Sequence, residues 1–210
     1  MVVVLVLVAI VVQANINIVN DNKKIRVACM GDSITDANIS NYTNQLQTML
    51  GENYTVESFG IMGATVLFDT YWPYVYQHEF SSAKKFLPDI VVIMLGTNDA
   101  RPDNFGSIDN FVGDYIKLIK QIQLLGSKPK IFVAKPPPIF ENVVELVPEN
   151  FSEEIIPRIE EVANTQNLDI IDVYSVMENH PEYLLDGVHP NSEGETVIAN
   201  QVYNAITSSN

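Results

Sequence analysis

The sequence predicts an α/β fold in which helices cover both faces of a parallel β-sheet. Short apolar runs rich in β-branched residues alternate along the chain with longer segments of helical periodicity, as is typical of parallel sheets. Each apolar run ends in polar residues, glycine or proline, which indicates strands buried on both faces. The 210 residues contain no repeat, low-complexity tract or linker, so we expect one domain over residues 15–210.

The strands and helices follow one another in a regular order. We predict five strands, at residues 25–30, 54–59, 90–95, 130–134 and 168–173. Apolar residues at helical spacing predict helices over residues 42–50, 108–122, 155–163 and 197–206. Two stretches, the aromatic-rich residues 68–80 and the proline-led residues 136–150, lack a clear period and are predicted to be loops or broken helix. Both follow predicted strands, and ligands of open parallel sheets bind beyond the carboxyl ends of the strands.

The first residues form a segment of their own. Residues 2–12 are an unbroken run of eleven apolar residues, whereas a membrane-spanning helix needs about 20. Such a run suits the core of a secretory signal, and Val12 and Ala14 fit a cleavage site after Ala14. We therefore expect residues 1–14 to be removed and the mature chain to be secreted; a buried first strand is the alternative. Asn-x-Ser/Thr sequons, compatible with a glycosylated product, occur at Asn38, Asn41, Asn53 and Asn150.

The charge and the rare residue types exclude several classes of protein. Twenty-six acidic and twelve basic side chains give a net charge of −14, which repels phosphate backbones and anionic lipid. We therefore expect no nucleic-acid partner and, after signal cleavage, no membrane partner. One cysteine excludes an intrachain disulfide or a multi-cysteine metal site, and three histidines leave little room for a His-rich one. We expect neither a metal nor a cofactor.

The first motif with chemical potential is GDSIT at residues 31–35, directly after the first predicted strand. A serine on a sharp strand-to-helix turn presents its hydroxyl at the sheet edge and leaves its amide free to donate. Ser33 therefore has the placement that a nucleophile needs, although the motif differs from the G-x-S-x-G elbow. Gly-Asp-Ser is also an ordinary turn sequence, so the motif alone leaves both interpretations open.

The second motif is DGVHP at residues 186–190, just before the last predicted helix. An aspartate three residues before a histidine on a turn can accept a hydrogen bond from the Nδ1–H of the imidazole. That contact fixes the tautomer and leaves Nε2 of His189 facing a nucleophile. An Asp-x-x-His pair also arises by chance in a chain of this composition, so Asp186 and His189 are candidates only.

Two further motifs could supply hydrogen-bond donors to the same cleft. GTND at residues 96–99 follows the most apolar predicted strand, and the Asn98 amide carries two N–H donors. GIMGAT at residues 60–65 follows the second strand and contributes glycine backbone amides. Acyl transfer requires such donors where the oxyanion forms. Since a parallel sheet brings the carboxyl ends of its strands to one edge, these motifs are expected to converge there.

Together, the four motifs resemble the blocks of the SGNH, or GDSL-type, hydrolases, on the carbohydrate-esterase side of that family. The resemblance implies a flavodoxin-like three-layer α/β/α fold with five parallel strands in the order 2-1-3-4-5. One position departs from the family pattern: Ser58 stands where an asparagine usually precedes the Phe-Gly pair. This departure puts local packing in doubt more than catalysis.

The resemblance also implies a role for individual residues. Ser33 would be the nucleophile of a carboxylic ester hydrolase, His189 its general base and Asp186 the partner that orients the histidine. The oxyanion hole would consist of the Ser33 amide, the Gly63 amide and the Asn98 side chain. The mechanism requires no metal or cofactor.

Other candidate residues are expected to have structural roles. Asp32 caps the turn that carries the serine. His78 at a helix start and His180 in a polar loop are expected to lie outside the site. Asp99 has no second carboxylate at a metal-ligand spacing, and Cys29 in a buried strand is expected to be an inert hydrophobic residue.

The substrate is indicated by one aromatic loop. Tyr71 and Trp72 could stack on pyranose rings, which favours acetyl esters of a small or polymeric carbohydrate as substrate. The alternatives are a lysophospholipase or thioesterase, which would need a long apolar groove, and a carbohydrate-binding protein that keeps the fold without turnover.

Overall fold

A parallel five-stranded sheet forms the centre of the structure. The computed structural model describes residues 23–140 and 146–208, so the expected signal peptide lies outside the described residues. The strands are β1 (Ile25–Gly31), β2 (Tyr54–Gly60), β3 (Ile90–Met94), β4 (Lys130–Lys135) and β5 (Asp169–Asp172). Their order is β2-β1-β3-β4-β5, and every neighbouring pair is parallel. Both the predicted strands and the expected order are therefore confirmed.

Burial of the strands differs from the prediction at the two edges of the sheet. β3 is buried throughout, whereas β2 is mostly half-buried and exposes Glu57. In β5, Asp169 and Ile170 are exposed. The prediction of burial on both faces is thus wrong for β2 and β5, because an edge strand has a neighbour on one side only and lies at the margin of the helical layers.

Seven helices occur in the described residues: α1 (Tyr42–Leu50), α2 (His78–Phe86), α3 (Pro102–Phe105), α4 (Phe111–Gln123), α5 (Ile156–Gln166), α6 (Val173–Met177) and α7 (Ser192–Thr207). Short 3₁₀ turns precede or join them at Tyr74–Tyr76, Thr97–Ala100, Ile108–Asn110 and Pro181–Tyr183, and a π-helical turn at Asn150–Ile155 leads into α5. In the part of the chain that is described, no helix has the length and apolar composition needed to cross a membrane.

The helical predictions are confirmed in position but not at every end. The segment predicted over 108–122 begins with a 3₁₀ turn before α4. α7 begins five residues before the predicted start at 197, because the Asn191 side chain accepts the N–H groups of Glu193 and Gly194, at 3.0 Å each. Residues 68–80, predicted as a loop or broken helix, end in the first turn of α2.

Two apolar clusters, one on each face of the sheet, give the molecule its three layers. Along β1, Ala28 and Met30 pack in one cluster, whereas Val27 and Cys29 pack in the other, as expected for side chains that alternate across a strand. Helices α2, α4 and α5 cover the first face, and α1, α6 and α7 cover the second. Burial raises the pKa of the Cys29 thiol to about 12, so this cysteine stays protonated at neutral pH.

Candidate active site

The sheet order determines which motifs meet. β1 lies between β2 and β3, so the turn after β1 is flanked by the segments that follow the other two strands. Ser33 follows β1, Gly63 follows β2 and Asn98 follows β3. Together with His189, these residues line one cavity of about 510 Å³ at the carboxyl edge of the sheet.

The turn that carries Ser33 is tight and closely packed. The carbonyl of Asp32 accepts the N–H groups of Thr35 and Asp36, both at 3.0 Å, and its carboxylate accepts that of Ile34 at 3.0 Å, so Asp32 caps the turn as predicted. Only glycine fits at the end of β1, because a Cβ on Gly31 would lie 2.2 Å from the Thr35 hydroxyl. The turn leaves Ser33 largely buried, with its hydroxyl at the cavity wall.

Ser58, the departure from the family pattern, supports the same turn. Its hydroxyl donates to the carbonyl of Thr35 at 2.5 Å. The side chain therefore ties the end of β2 to the turn that carries the nucleophile candidate. Ser58 therefore fits the local packing at this position, since its side chain makes a direct hydrogen bond to the turn.

Ser33, His189 and Asp186 form a continuous hydrogen-bonded chain. Ser33 Oγ lies 3.0 Å from His189 Nε2, and His189 Nδ1 lies 2.8 Å from Asp186 Oδ2. The carboxylate contact favours the tautomer protonated on Nδ1, so Nε2 accepts the Ser33 O–H. The loop itself is closed by the Leu185 N–H, which donates to the His189 carbonyl at 2.7 Å.

Asp186 is held in its ionised form. Partial burial raises the pKa of this carboxyl, but hydrogen bonds from His189 and from the Val188 N–H outweigh that effect, so the pKa lies below its ordinary value. Asp186 therefore carries a negative charge at neutral pH and accepts a hydrogen bond from the His189 ring. The arrangement can take a proton from Ser33 and stabilise the resulting imidazolium.

The expected oxyanion donors lie around Ser33. Asn98 stands on the 3₁₀ turn after β3, and its Nδ2 donates to the Ala64 carbonyl at 3.0 Å. Its second contact, to Asp32 Oδ2 at 3.5 Å, is at the outer limit of a hydrogen bond, so this contact competes only weakly with a ligand for the second N–H. Gly63 has a φ of 79°, a left-handed conformation that favours glycine and sets the direction of its amide.

Tyr71 and Trp72 form one wall of the cavity. Tyr71 is 86% exposed and Trp72 49%, and their rings meet edge to face with centroids 5.4 Å apart. Exposed aromatic faces in the cavity that Ser33 lines suit the apolar face of a sugar ring. The location of both residues is as expected, and their contact with substrate stays a prediction.

The sequence analysis missed three polar residues of the cavity lining. Arg101, Asp103 and Asn104 line the cavity, and the Asn104 side chain donates to the Asn98 carbonyl at 2.8 Å. These residues closely follow GTND at the carboxyl end of a predicted strand, and this position could have marked them as candidates for the cavity lining. Met62, Leu146 and Val188 contribute apolar side chains to the same lining.

Two buried carboxyl groups lie behind the cavity. Burial raises the pKa of Asp32 to about 6, although the Ile34 N–H lowers it. Burial likewise raises the pKa of Asp99 to about 7, against the lowering effect of the Leu67 and Val66 N–H groups. In the described ranges 23–140 and 146–208, no three His, Cys, Asp or Glu side chains are grouped to hold a metal ion.

The two other histidines do not line the cavity. His180 contacts Glu182 at 2.7 Å and stacks on Tyr183, and His78 contacts Ser82. Both lie outside the site, as predicted.

The fold and the site define a class of proteins: flavodoxin-like α/β proteins with a serine, a histidine and an aspartate joined at the carboxyl edge of the sheet. The profile of the GDSL-like lipase/acylhydrolase family matches residues 29–197, and the chain belongs to this family. The matched range includes all four motifs, so the resemblance found in the sequence is confirmed.

Known relatives agree with this assignment. An acetylxylan esterase of Xylanibacter ruminicola is 35% identical over 206 residues, covering 87% of this chain and 43% of the relative. The chain therefore spans less than half the length of that relative.

Solved structures share the fold. A carbohydrate acetylesterase family member from Sinorhizobium meliloti is 22% identical, with a TM-score of 0.70 over 88% of this chain and 98% of the other. The acetyl xylan esterase AlAXEase is 23% identical, with a TM-score of 0.69 over 87% and 100%. A putative acylhydrolase from Bacteroides fragilis is 27% identical, with a TM-score of 0.67 over 90% and 89%.

Proposed function

We propose that this protein is a serine esterase that removes acetyl groups from carbohydrate through an acyl-enzyme on Ser33. The observation that carries the proposal is the chain from Ser33 Oγ to His189 Nε2, at 3.0 Å, and from His189 Nδ1 to Asp186 Oδ2, at 2.8 Å. This arrangement activates a serine hydroxyl for attack on an ester carbonyl.

In the first half-reaction, Ser33 Oγ forms a bond to the ester carbonyl carbon while His189 Nε2 takes the hydroxyl proton. The carbonyl oxygen becomes an oxyanion that accepts hydrogen bonds from the Ser33 amide, the Gly63 amide and the Asn98 side chain. The bond to the sugar oxygen then breaks, and that oxygen collects the proton from His189. The sugar leaves with a free hydroxyl group, and the acetyl group stays on Ser33.

In the second half-reaction, water attacks the acetyl carbon and His189 takes one of its protons. A second oxyanion forms and accepts hydrogen bonds from the same donors. Its collapse breaks the bond between the acetyl carbon and Ser33 Oγ. The proton returns from His189 to the serine oxygen, and acetate leaves. Asp186 stays ionised throughout and orients the imidazole.

A carbohydrate acetyl ester is supported by the cavity wall and by the relatives. The exposed rings of Tyr71 and Trp72 stand beside the cavity that Ser33 lines, where a sugar carrying the ester would lie. The relative from Xylanibacter ruminicola is named an acetylxylan esterase, and the Sinorhizobium meliloti structure is described as a carbohydrate acetylesterase family member.

The test compares p-nitrophenyl acetate with p-nitrophenyl octanoate, using the wild type and Ser33→Ala. We expect the wild type to favour acetate, the variant to be inactive, and acetate to be released from acetylated xylan by the wild type only. A preference for octanoate would contradict the proposed acetyl substrate and indicate a lipolytic hydrolase that acts on longer acyl chains. Equal hydrolysis by both proteins would refute the role of Ser33, and sugar binding without hydrolysis would indicate a binding protein.

We also propose that the chain is secreted, loses residues 1–14 and carries N-linked glycans. The sequon residues Asn38, Asn41 and Asn53 are exposed, which supports their modification, whereas the Asn150 side chain donates to the Ala100 carbonyl at 3.3 Å. After expression in a eukaryotic secretory host, the protein should be found in the culture medium with Asn15 as its first residue. Its mass should decrease on treatment with peptide N-glycosidase. Retention in the cell with an intact N-terminus, or an unchanged mass, would contradict these proposals.

A further inference from the structure

Two carboxylates bind three consecutive backbone N–H groups in the loop that follows Gly63. Asp99 accepts the N–H of Val66 through Oδ2 and that of Leu67 through Oδ1, both at 2.9 Å. Asp114, on α4, accepts the N–H of Phe68 at 3.0 Å. We call Asp99 and Asp114 the carboxylate clamp.

The clamp is directly connected to the expected oxyanion hole. Asp99 follows Asn98 on the 3₁₀ turn Thr97–Ala100, so one short turn holds the loop at two points. The Asn98 side chain donates to the Ala64 carbonyl, and Asp99 accepts the N–H groups of Val66 and Leu67. Gly63 adjoins Ala64, so the direction of the Gly63 amide depends on how firmly this loop is held against the turn.

The same loop carries part of the aromatic wall. Thr65 N–H donates to the Trp72 carbonyl at 3.0 Å, and Tyr74 N–H donates to the Thr65 carbonyl at 2.9 Å. A displacement of the segment beyond Gly63 would therefore reach both the oxyanion donors and Trp72.

The chemistry of Asp99 suits a holding role. The residue is fully buried, and each carboxylate oxygen accepts one backbone N–H. An asparagine has nearly the same shape, but its NH₂ group would face one of those backbone N–H groups. Neither that N–H nor the NH₂ facing it would then have an acceptor there. Since an unsatisfied buried donor is costly, Asp99→Asn should loosen the loop without creating a cavity.

The ionisable surroundings of the clamp are few. Asp32, behind Ser33, and Tyr115, on α4, interact electrostatically with Asp99. Asp114 is bound by Lys117, whose Nζ lies 2.9 Å from Oδ1 and 5.5 Å from the centre of the Phe68 ring. Asp114 thus has a compensating positive charge beside it, whereas Asp99 is fully buried next to Asn98, which lines the cavity.

We propose that Asp99, supported by Asp114, is a positioning residue that holds residues 64–68 so that the Gly63 amide and the Asn98 side chain face Ser33. This inference rests on the proposed esterase function, and it assigns a role to Asp99, which the sequence had suggested only as an unsupported metal-ligand candidate. It predicts that the clamp acts on the transition state, where the oxyanion exists, and hardly on substrate binding.

The experiment measures kcat and KM for p-nitrophenyl acetate in Asp99→Asn, Asp114→Asn and the control Asp69→Asn. Asp69 is an exposed acidic residue on the same loop, so its replacement makes the same Asp-to-Asn change without touching the clamp. We expect Asp99→Asn to lower kcat about 10- to 100-fold at a nearly unchanged KM, as for a misplaced oxyanion donor. Asp114→Asn should lower kcat less, and Asp69→Asn should match the wild type.

A double-mutant cycle with Asn98→Ala separates positioning from a general loss of structure. If Asp99 acts through the oxyanion hole, Asp99→Asn should cost less in the Asn98→Ala background than in the wild type. Additive effects, a raised KM at constant kcat, or an equal loss in Asp69→Asn would overturn the proposal. Circular dichroism checks folding, and if Asp99→Asn does not fold, Asp114→Asn decides by the same criteria.

Hydrogen exchange distinguishes this proposal from the proposed function. The amides of residues 66 and 67 should exchange faster in Asp99→Asn than in the wild type, whether or not the protein hydrolyses esters. Activity that persists in Ser33→Ala would refute the esterase mechanism alone. Unchanged exchange together with unchanged kcat in Asp99→Asn would refute the clamp alone.

Discussion

Asp186 is bound to His189 twice, once through the ring and once through the backbone. Oδ2 lies 2.8 Å from the ring Nδ1, and Oδ1 accepts the backbone N–H of the same histidine at 2.7 Å. A third bond, from the Val188 N–H to Oδ1 at 3.1 Å, completes the set. One carboxylate therefore fixes both the tautomer of the imidazole and the loop that carries it.

Replacing Asp186 tests this double contact. In Asp186→Asn, the side-chain NH₂ would face either the ring N–H or the two backbone N–H groups, so the histidine would lose its tautomer or its position. We expect kcat for p-nitrophenyl acetate to fall by about 10²- to 10⁴-fold. Glu182→Gln is the control, because Glu182 is a nearby exposed carboxylate that contacts His180 instead. Full activity in Asp186→Asn would show that the histidine works without this partner.

The aromatic wall should affect polymer substrates and spare small ones. Trp72→Ala removes a ring that lines the cavity, so the KM for acetylated xylan should rise by roughly 2- to 10-fold, equivalent to one aromatic contact. The kcat/KM for p-nitrophenyl acetate should change little, since this ester has no sugar ring. Tyr76→Ala is the matched control, because Tyr76 is 70% exposed but does not line the cavity. An equal effect on both substrates would argue against stacking.

The glycine at the end of β1 should be intolerant of any side chain. A Cβ on Gly31 would lie 2.2 Å from the Thr35 hydroxyl and 2.7 Å from the Met94 carbonyl, so the Ser33 turn would have to move. We expect Gly31→Ala to lower the free energy of unfolding by about 1–3 kcal/mol and to reduce kcat. Gly113→Ala is the control: it lies in α4 with open space around it, and helix propensity predicts about 0.5–1 kcal/mol of added stability. Urea denaturation measures both changes.

The buried Asp99 should make stability fall as the pH rises. Its folded-state pKa is about 7, above the ordinary value of 3.8, so the folded protein binds this proton more tightly than the unfolded chain. The corresponding stabilisation is complete below pH 4 and is lost as the pH rises toward 7, at up to about 1.4 kcal/mol per pH unit.

Urea denaturation of the wild type and Asp99→Asn at several pH values between 4 and 8 measures this contribution. The free energy of unfolding of the wild type should decrease relative to that of Asp99→Asn over this range. Asp69→Asn should keep the slope of the wild type, because it retains Asp99. Parallel curves for the wild type and Asp99→Asn would mean that Asp99 has the same pKa in both states.

The strands, the main helices and the candidate site residues could be predicted from the sequence because their signals are local. An apolar run such as residues 90–95, or a motif such as GDSIT, carries its structural preference within a few residues. The strand order came from the resemblance, because hydrophobic periodicity does not state which strands are neighbours. Capping also shifted boundaries: α7 starts at Ser192 because of Asn191, five residues before the apolar period begins.

The sequence by itself thus determined the class of fold and indicated Ser33, Asp186, His189 and Asn98 as candidate site residues, through motifs whose side chains carry recognisable chemistry. Only the tertiary structure decided which strands are exposed edges, that Arg101, Asp103 and Asn104 line the cavity, and that Asp99 binds the loop after Gly63. The physical reason is that these features depend on contacts between distant segments. The partners of Asp99 are backbone N–H groups some thirty residues away, and almost every residue carries such a group.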